Sequence, residues 1–169
     1  AAWHARGQAM PVAIVLGGPP ALTWCAGVSL PDDVSEIEYA SYLTRQPIAV
    51  TECQTCDICV PSTAEIVIEG HVLPGELQQE GPFGNHTGSY APASPAPVVR
   101  IKSIYTREDA VYPCTLVGPP PMENMFLAQA VERLSLPLLQ HDHPWVVDIH
   151  MPLEGVYHRA ALGSVDAAK

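Results

Sequence analysis

The chain has 169 residues, 47% of them apolar and only 15% charged, a composition that suits a packed core and excludes a disordered acidic tail. Its net charge of −10, from 8 Lys and Arg against 18 Asp and Glu, leaves no cation cluster to face phosphates, so nucleic acid and anionic membranes are excluded as partners. No apolar run approaches the roughly 18 residues of a membrane helix, so no membrane span is expected.

Ala1 stands where an initiator Met would, and no apolar stretch precedes Pro11, so the start reads as a fragment or trimmed domain and not as a secretory leader. Val12–Leu16 is a continuous apolar run closed by Gly17-Gly18-Pro19-Pro20, which predicts a buried strand and a turn. Ser35 with Glu38 forms a capping-box pair that opens a helix from Glu36 to about Thr44. Ile48–Cys53 reads as a second strand. Ala64–Val72 alternates, with Ile66, Ile68 and Gly70 on one face and Glu65, Glu69 and His71 on the other, a half-buried strand.

Residues 73–97 are rich in Gly, Pro and Ser and read as one long loop, a length that is usually functional. Strands are predicted to resume at Val98–Ile104 and Val111–Val117, before the joint Pro119-Pro120-Pro121. A helix follows from Met122 to Leu134, stopped before Pro137, with Met122, Met125, Phe126, Ala130 and Leu134 as its apolar stripe. Trp145–Ile149 and Gly155–Gly163 look like two further strands. Many strands followed by a helix predict a mainly β chain, a split barrel over 8–118 running into the start of an α/β domain over 119–169. There is no internal repeat.

Five cysteines, at 25, 53, 56, 59 and 114, give no disulfide framework, and reduced thiols point to the cytoplasm. Cys53, Cys56 and Cys59 have the spacing of an iron–sulfur run, but Val60-Pro61-Ser62-Thr63 supplies no fourth ligand. Three small residues at a strand end is the favoured reading, with an iron–sulfur or zinc protein as the rival. Asn85-His86-Thr87 matches a glycosylation sequon, which carries little weight without a secretory signal. His141, Asp142, His143, Asp148 and His150 invite a metal reading in which His141 and His143 share a strand face. Satisfied surface or interface histidines are favoured there, and for His158 as well.

The segment Glu80-Gly81-Pro82-Phe83-Gly84-Asn85-His86-Thr87-Gly88-Ser89-Tyr90 resembles the signature of the UbiD family of reversible decarboxylases, which use prenylated FMN. Further blocks follow the family in the same order: Pro11–Val15, Pro31–Tyr39, Val60-Pro61 with Ala64–Gly70, Val117–Glu123, and Glu132-Arg133-Leu134 with Leu136–Leu139. The similarity runs from about Pro11 to Leu162. Family members are much longer, and the chain is similar to their central flavin-reductase-like split barrel and the opening of the C-terminal domain, without the N-terminal portion.

The resemblance implies a carboxy-lyase, a flavoprotein acting on an aromatic or α,β-unsaturated carboxylic acid through a flavin–substrate adduct. The chemistry needs such a cofactor, because no side chain can accept the electrons that a departing carboxylate leaves behind. By resemblance, Glu80 and Asn85 are the catalytic pair. Glu80 matches the first family acid. Asn85 stands where the family has the Glu or Asp assigned as proton donor, and an amide cannot titrate. Asn85 would then orient substrate or water, with Glu80 or His86 handling the proton; the other reading is a turn residue.

Glu36 aligns with the carboxylate that holds Mn²⁺ or Mg²⁺ on the flavin phosphate, and is the predicted metal and cofactor ligand. Carbonyls around Cys25, Ala26 and Val28 are implied to bind the cofactor region through K⁺. The family Arg lies upstream of the blocks present, and Arg6 does not match it. The remaining implied partners are a flavin prenyltransferase as cofactor supplier and further copies of the chain in a homo-oligomer. The rival from another class is a non-catalytic flavin-binding fragment or accessory subunit.

Overall fold

The computed structural model describes residues 2–28, 30, 33–119, 121–157 and 159–167. A short helix α1, Ala2–Ala5, precedes strand β1, Met10–Leu16. β1 runs antiparallel to the long strand β4, Ile66–Glu80, in a register that sets Val12 against Gly70, Ala13 against Glu69 and Ile14 against Ile68. β4 is the middle strand of three, flanked on its other side by β7, Ser94–Thr106. Gly70 meets the Arg100 backbone and the Arg107 N–H reaches the Glu65 carbonyl at 3.0 Å, so β7 retreats as β4 advances. A Cβ at Gly70 would come within 2.4 Å of the Arg100 oxygen, which makes glycine a requirement of this close crossing.

Two helices, α2 (Pro20–Cys25) and α3 (Glu36–Thr44), pack through Cys25 and Ala40, which are both fully buried, and through Trp24 against Tyr39. The α3 boundaries match the sequence expectation. Its N-cap is Ser35, whose carbonyl accepts the Tyr39 N–H at 2.9 Å, but the Ser35 side chain makes no capping bond and the reciprocal box with Glu38 is not formed. Arg45 closes the helix in the left-handed region at φ 55°. The hairpin of β2 (Val50–Glu52) and β3 (Cys59–Pro61) pairs Glu52 with Cys59, so residues 53–58 form its loop. The strand expected over Ile48–Cys53 is therefore shorter than predicted.

Several other expectations are corrected. The loop predicted over 73–97 is largely strand: β4 continues to Glu80, β5 (Phe83–Gly84) and β6 (Tyr90–Ala91) form a small hairpin, and β7 starts at Ser94. Residues 77–80 are exposed, so no alternation of burial marked them, and Gly75 passes through φ 72° without ending the strand. Pro95 and Pro97, which look like breakers, are tolerated because β7 is an outer strand of its sheet. β1 is only half-buried, with Ile14 41% exposed, where a buried strand was expected. Val111–Val117 is exposed and forms no strand.

Backbone contacts divide the chain into two units, residues 1–80 with 95–114 and residues 81–94 with 115–169. In the second unit, helix α4 spans Glu123–Asp142 and carries Pro137 inside it, beyond the predicted stop. Proline costs the helix one hydrogen bond but does not end it here. The buried face of α4 centres on Ala128 and Glu132, whereas Met122 and Phe126 of the predicted stripe are exposed. Strands β8 (Val146–His150) and β9 (Leu162–Val165) form an antiparallel hairpin. Between them lie a short 3-10 helix, Leu153–Gly155, and Val156 and Tyr157 at positive φ, which replace the strand expected over Gly155–Gly163. No helix among the described residues is long and apolar enough to cross a membrane.

Candidate functional site

Four carboxylates lie on β4 or just before it, in different surroundings. Glu65, just before the strand, accepts the Val111 N–H at 3.1 Å and lies 3.8 Å from Arg107. Glu76 receives two hydrogen bonds from the Arg100 guanidinium on β7, and these hold its carboxyl below the usual range. Glu80 ends the strand in an exposed position. Among the predicted site residues it is the one at the point where the chain leaves β4 for Gly81 and Pro82.

Glu69, placed by alternation on the solvent face, is only 1% exposed. Its Oε1 accepts the Gln54 N–H at 2.9 Å, and its Oε2 accepts the Thr55 N–H at 2.7 Å and the Thr55 hydroxyl at 2.5 Å. Burial alone would raise its carboxyl, but the Thr55 hydroxyl and the two backbone donors outweigh that and hold it below the ordinary range. Burial first, then Cys56 and Glu69, push the neighbouring Cys53 thiol up to about 12. The sequence signal for this buried acid was slight, a Glu followed by Gly inside a β-branched run.

Asn85 opens the turn between β5 and β6. Its Oδ1 accepts the Thr87 N–H at 2.9 Å and the Thr87 hydroxyl at 2.6 Å, and its own carbonyl accepts the Gly88 N–H at 3.1 Å. This is an Asx turn, built from the residue type that favours one. Glu80 and Asn85 fall in different units.

α2 and α3 bring two other predicted residues together. Cys25 is fully buried, and burial first and the Glu36 carboxylate second push its thiol up, which marks the two groups as electrostatic neighbours. Glu36 is exposed in the first turn of α3, where the helix dipole favours a carboxylate. The carbonyls of Leu22, Trp24 and Cys25 accept the N–H groups of Ala26, Gly27 and Val28 at 2.9–3.1 Å, a turn that fixes the backbone of all three predicted cofactor contacts. The indole N–H of Trp24 is buried with no acceptor among the described residues. The exposed carboxylate of Glu36 is a hard oxygen donor that could supply one ligand to a divalent metal ion.

The histidine-rich segment disperses. His141 lies in the last turn of α4 and His143 is its C-cap, its ring tilted against that of Trp145 at 4.9 Å, so they do not share a strand face. His150 Nδ1 lies 2.9 Å from Glu132, which also accepts the Met151 N–H at 2.6 Å, and Asp148 pairs with Arg133 at 2.6 Å. The Arg133 hydrogen bond, then the Ile149 N–H, hold Asp148 below the usual carboxylate range. His158 lies outside the described residues. A groove of about 440 Å³ in the same unit, lined by Met125, Ala128, Glu132, His150 and Tyr157, contains none of Cys25, Ala26, Val28, Glu36, Glu80 and Asn85.

The sequence profile of the UbiD family, described as a 3-octaprenyl-4-hydroxybenzoate carboxy-lyase Rift-related domain, matches residues 1–120. The chain belongs to the UbiD family. It is 44% identical to an Archaeoglobus fulgidus protein over 94% of this chain, and 41% identical to an Aquifex aeolicus protein over 96%. It spans 33% and 34% of those two relatives, about a third of each.

Among solved structures, it is similar to an evolved dimeric form of the UbiD-class enzyme HmfF from Pelotomaculum thermopropionicum in complex with prFMN. The TM-score is 0.80 and the identity 32%, over 97% of this chain and 38% of that one. The closed form of the Sedimentibacter hydroxybenzoicus vanillic acid decarboxylase aligns with a TM-score of 0.87 and 26% identity, over 97% and 35%. The mainly β architecture with few helices is thus that of UbiD-class enzymes, and decarboxylases recur among its structural neighbours.

Proposed function

We propose that the chain is the flavin-binding part of a reversible, non-oxidative UbiD-type decarboxylase acting on an aromatic or α,β-unsaturated carboxylic acid. The observation that carries this reading is the likeness over 97% of the chain to HmfF, whose structure holds prFMN. Bound prenylated FMN supplies the electron sink that carboxylate loss requires. The protein's own residues orient, bind and move protons around it.

In this reading residues 8–118 form the split-barrel flavin domain and 119–169 begin the next. Glu36 would hold Mn²⁺ or Mg²⁺, and a carboxylate with a hard dication would let a chain of net charge −10 retain an anionic cofactor. The carbonyls of Cys25, Ala26 and Val28 would serve as ligands to K⁺. Glu80 holds or delivers the proton at the reacting carbon. It is exposed in this chain, open to a cofactor and substrate that would cover it on binding. Cytoplasmic placement, a prenyltransferase as cofactor supplier and assembly into a homo-oligomer belong to the same proposal; the similar HmfF form is dimeric.

Asn85 favours a second reading, a flavin-binding part that needs another subunit or segment for turnover. Its Oδ1 is committed to Thr87, and its amide cannot donate a proton as an acid does. Co-production with a flavin prenyltransferase, native purification and mass spectrometry of the released ligand test the main reading. Prenylated FMN supports it, whereas the absence of any flavin from folded protein overturns it. With cofactor bound, Glu80→Gln should lower decarboxylation of a responsive acid by roughly 10²–10⁴-fold, the usual contribution of a positioned acid–base group. An unchanged rate removes Glu80 from the mechanism.

A further inference from the structure

We propose that Cys53, Cys56 and Glu69 form a binding site for a thiophilic divalent cation of the zinc class. One ligand atom from each residue lies within 4.8 Å of the other two, the one metal-capable group of this kind among the described residues. Metal–sulfur bonds of about 2.3 Å and metal–oxygen bonds of about 2.0–2.2 Å require only that these atoms close on a common centre by an ångström or so. Both cysteines are half-buried and Glu69 is buried, so the ion would be largely withdrawn from water.

The supporting geometry is already fixed. Glu69 is anchored in the middle strand of the sheet, opposite Ala13. The loop 53–58 is folded on itself by the Cys53 N–H to the Ile58 carbonyl at 2.8 Å and the Ile58 N–H to the Cys56 carbonyl at 2.9 Å. The Cys53 thiol hydrogen-bonds the Glu69 carboxylate, a proton position that a cation would take over, while Oε1 accepts the Gln54 N–H and Oε2 accepts the Thr55 N–H and hydroxyl. Outer hydrogen bonds of this kind orient a ligating carboxylate.

The donor set selects the metal. Two sulfurs with one carboxylate suit a borderline-soft ion, not Mg²⁺ or K⁺. On binding, each thiol releases its proton to water as its sulfur bonds the metal, and no electron is transferred. Two thiolates and a carboxylate around a dication leave one net negative charge, with water in the fourth position. Cys59 is not a ligand: it is exposed and sits in the β2–β3 ladder opposite Glu52. The site thus differs from an iron–sulfur run, which would use all three cysteines.

Titration of the reduced, metal-free chain with Co²⁺ tests the site. The expected result is a near-ultraviolet sulfur-to-cobalt charge-transfer band that saturates at about one equivalent and is displaced by Zn²⁺. Cys53→Ser and Cys56→Ser should each abolish the band, and Cys59→Ser should keep it. A folded wild-type chain without the band overturns the site, as does a band that survives both serine variants or vanishes with Cys59→Ser. If a serine variant does not fold, cadmium NMR of the wild-type chain decides, by a resonance inside or outside the two-sulfur range. The all-oxygen site at Glu36 gives no sulfur band, so this outcome is independent of flavin binding.

Discussion

Two loops in this chain are held by the same trio of partners: a side-chain carbonyl-type oxygen, a backbone N–H and a threonine hydroxyl. At residues 53–55 the acceptor is Glu69, fourteen and fifteen residues away, charged and 1% exposed. At residues 85–89 it is Asn85, two residues away, neutral and half-buried. The first loop depends on a distant strand being in register. The second carries its own anchor and closes within one turn. A long-range, buried, charge-assisted anchor is costly to remove because its partners are left dry and unpaired, whereas a local one is readily replaced by water.

Glu69→Gln is the sharpest way to break that contrast. An amide nitrogen would face donors that it cannot accept from, and the melting temperature should fall by on the order of 10 °C. A thermal scan that places the variant within a degree of wild type would deny Glu69 its anchoring role. Gly70→Ala should cost about 1–3 kcal/mol, because the new Cβ collides with the Arg100 carbonyl and must part β4 from β7. Chemical denaturation reads this directly, and an unchanged midpoint would show that the crossing can relax.

Acid should act on the same side of the comparison. Glu69, Glu76 and Asp148 have folded pKa values below those of the unfolded chain. Their contribution is fully present above the unfolded values, about 4.3 for Glu and about 3.9 for Asp, and is lost as pH falls through the lower folded values. Melting temperatures of metal-free protein should hold between about pH 7 and 5 and drop below about pH 4, with a shallower drop in Glu69→Gln. Parallel curves for the two proteins would remove Glu69 from the acid transition. Asn85→Ala is the smallest effect, about 0.5–1.5 kcal/mol for a local hydrogen-bonded turn. A loss much above that range would mean that the hairpin anchors more than itself.

Where burial followed a simple pattern, the fold was legible. Helix α3 was fixed at both ends by the sequence reading, and β1 and the first half of β4 were found from apolar runs and alternation. The second half of β4 and all of β5 and β6 were not, because exposed residues such as Leu77 and Gly84 carry no burial signal and Gly75 mimics a break. Pro137 misled for a related reason: it removes a donor from α4, but the turns on either side keep theirs. At the candidate site, Glu36, Glu80 and Asn85 were singled out by family-like blocks, and Asn85 also by its turn chemistry. Glu69 was missed because alternation assigns a face to a residue without knowing that a loop will fold down over it.

The prolines of β7 have a consequence for handling the chain. The described sheet ends in two strands whose outer edges can recruit a stranger, and the two are not equally guarded. β7 carries Pro95 and Pro97, which interrupt the row of donors, and Arg100 and Lys102, which resist stacking by like charges. β1 carries one proline, Pro11, and then Val-Ala-Ile-Val-Leu without a charge. Aggregation during expression or refolding would therefore begin along β1, and a single lysine at Ile14, its most exposed apolar position, is the gatekeeper the strand lacks.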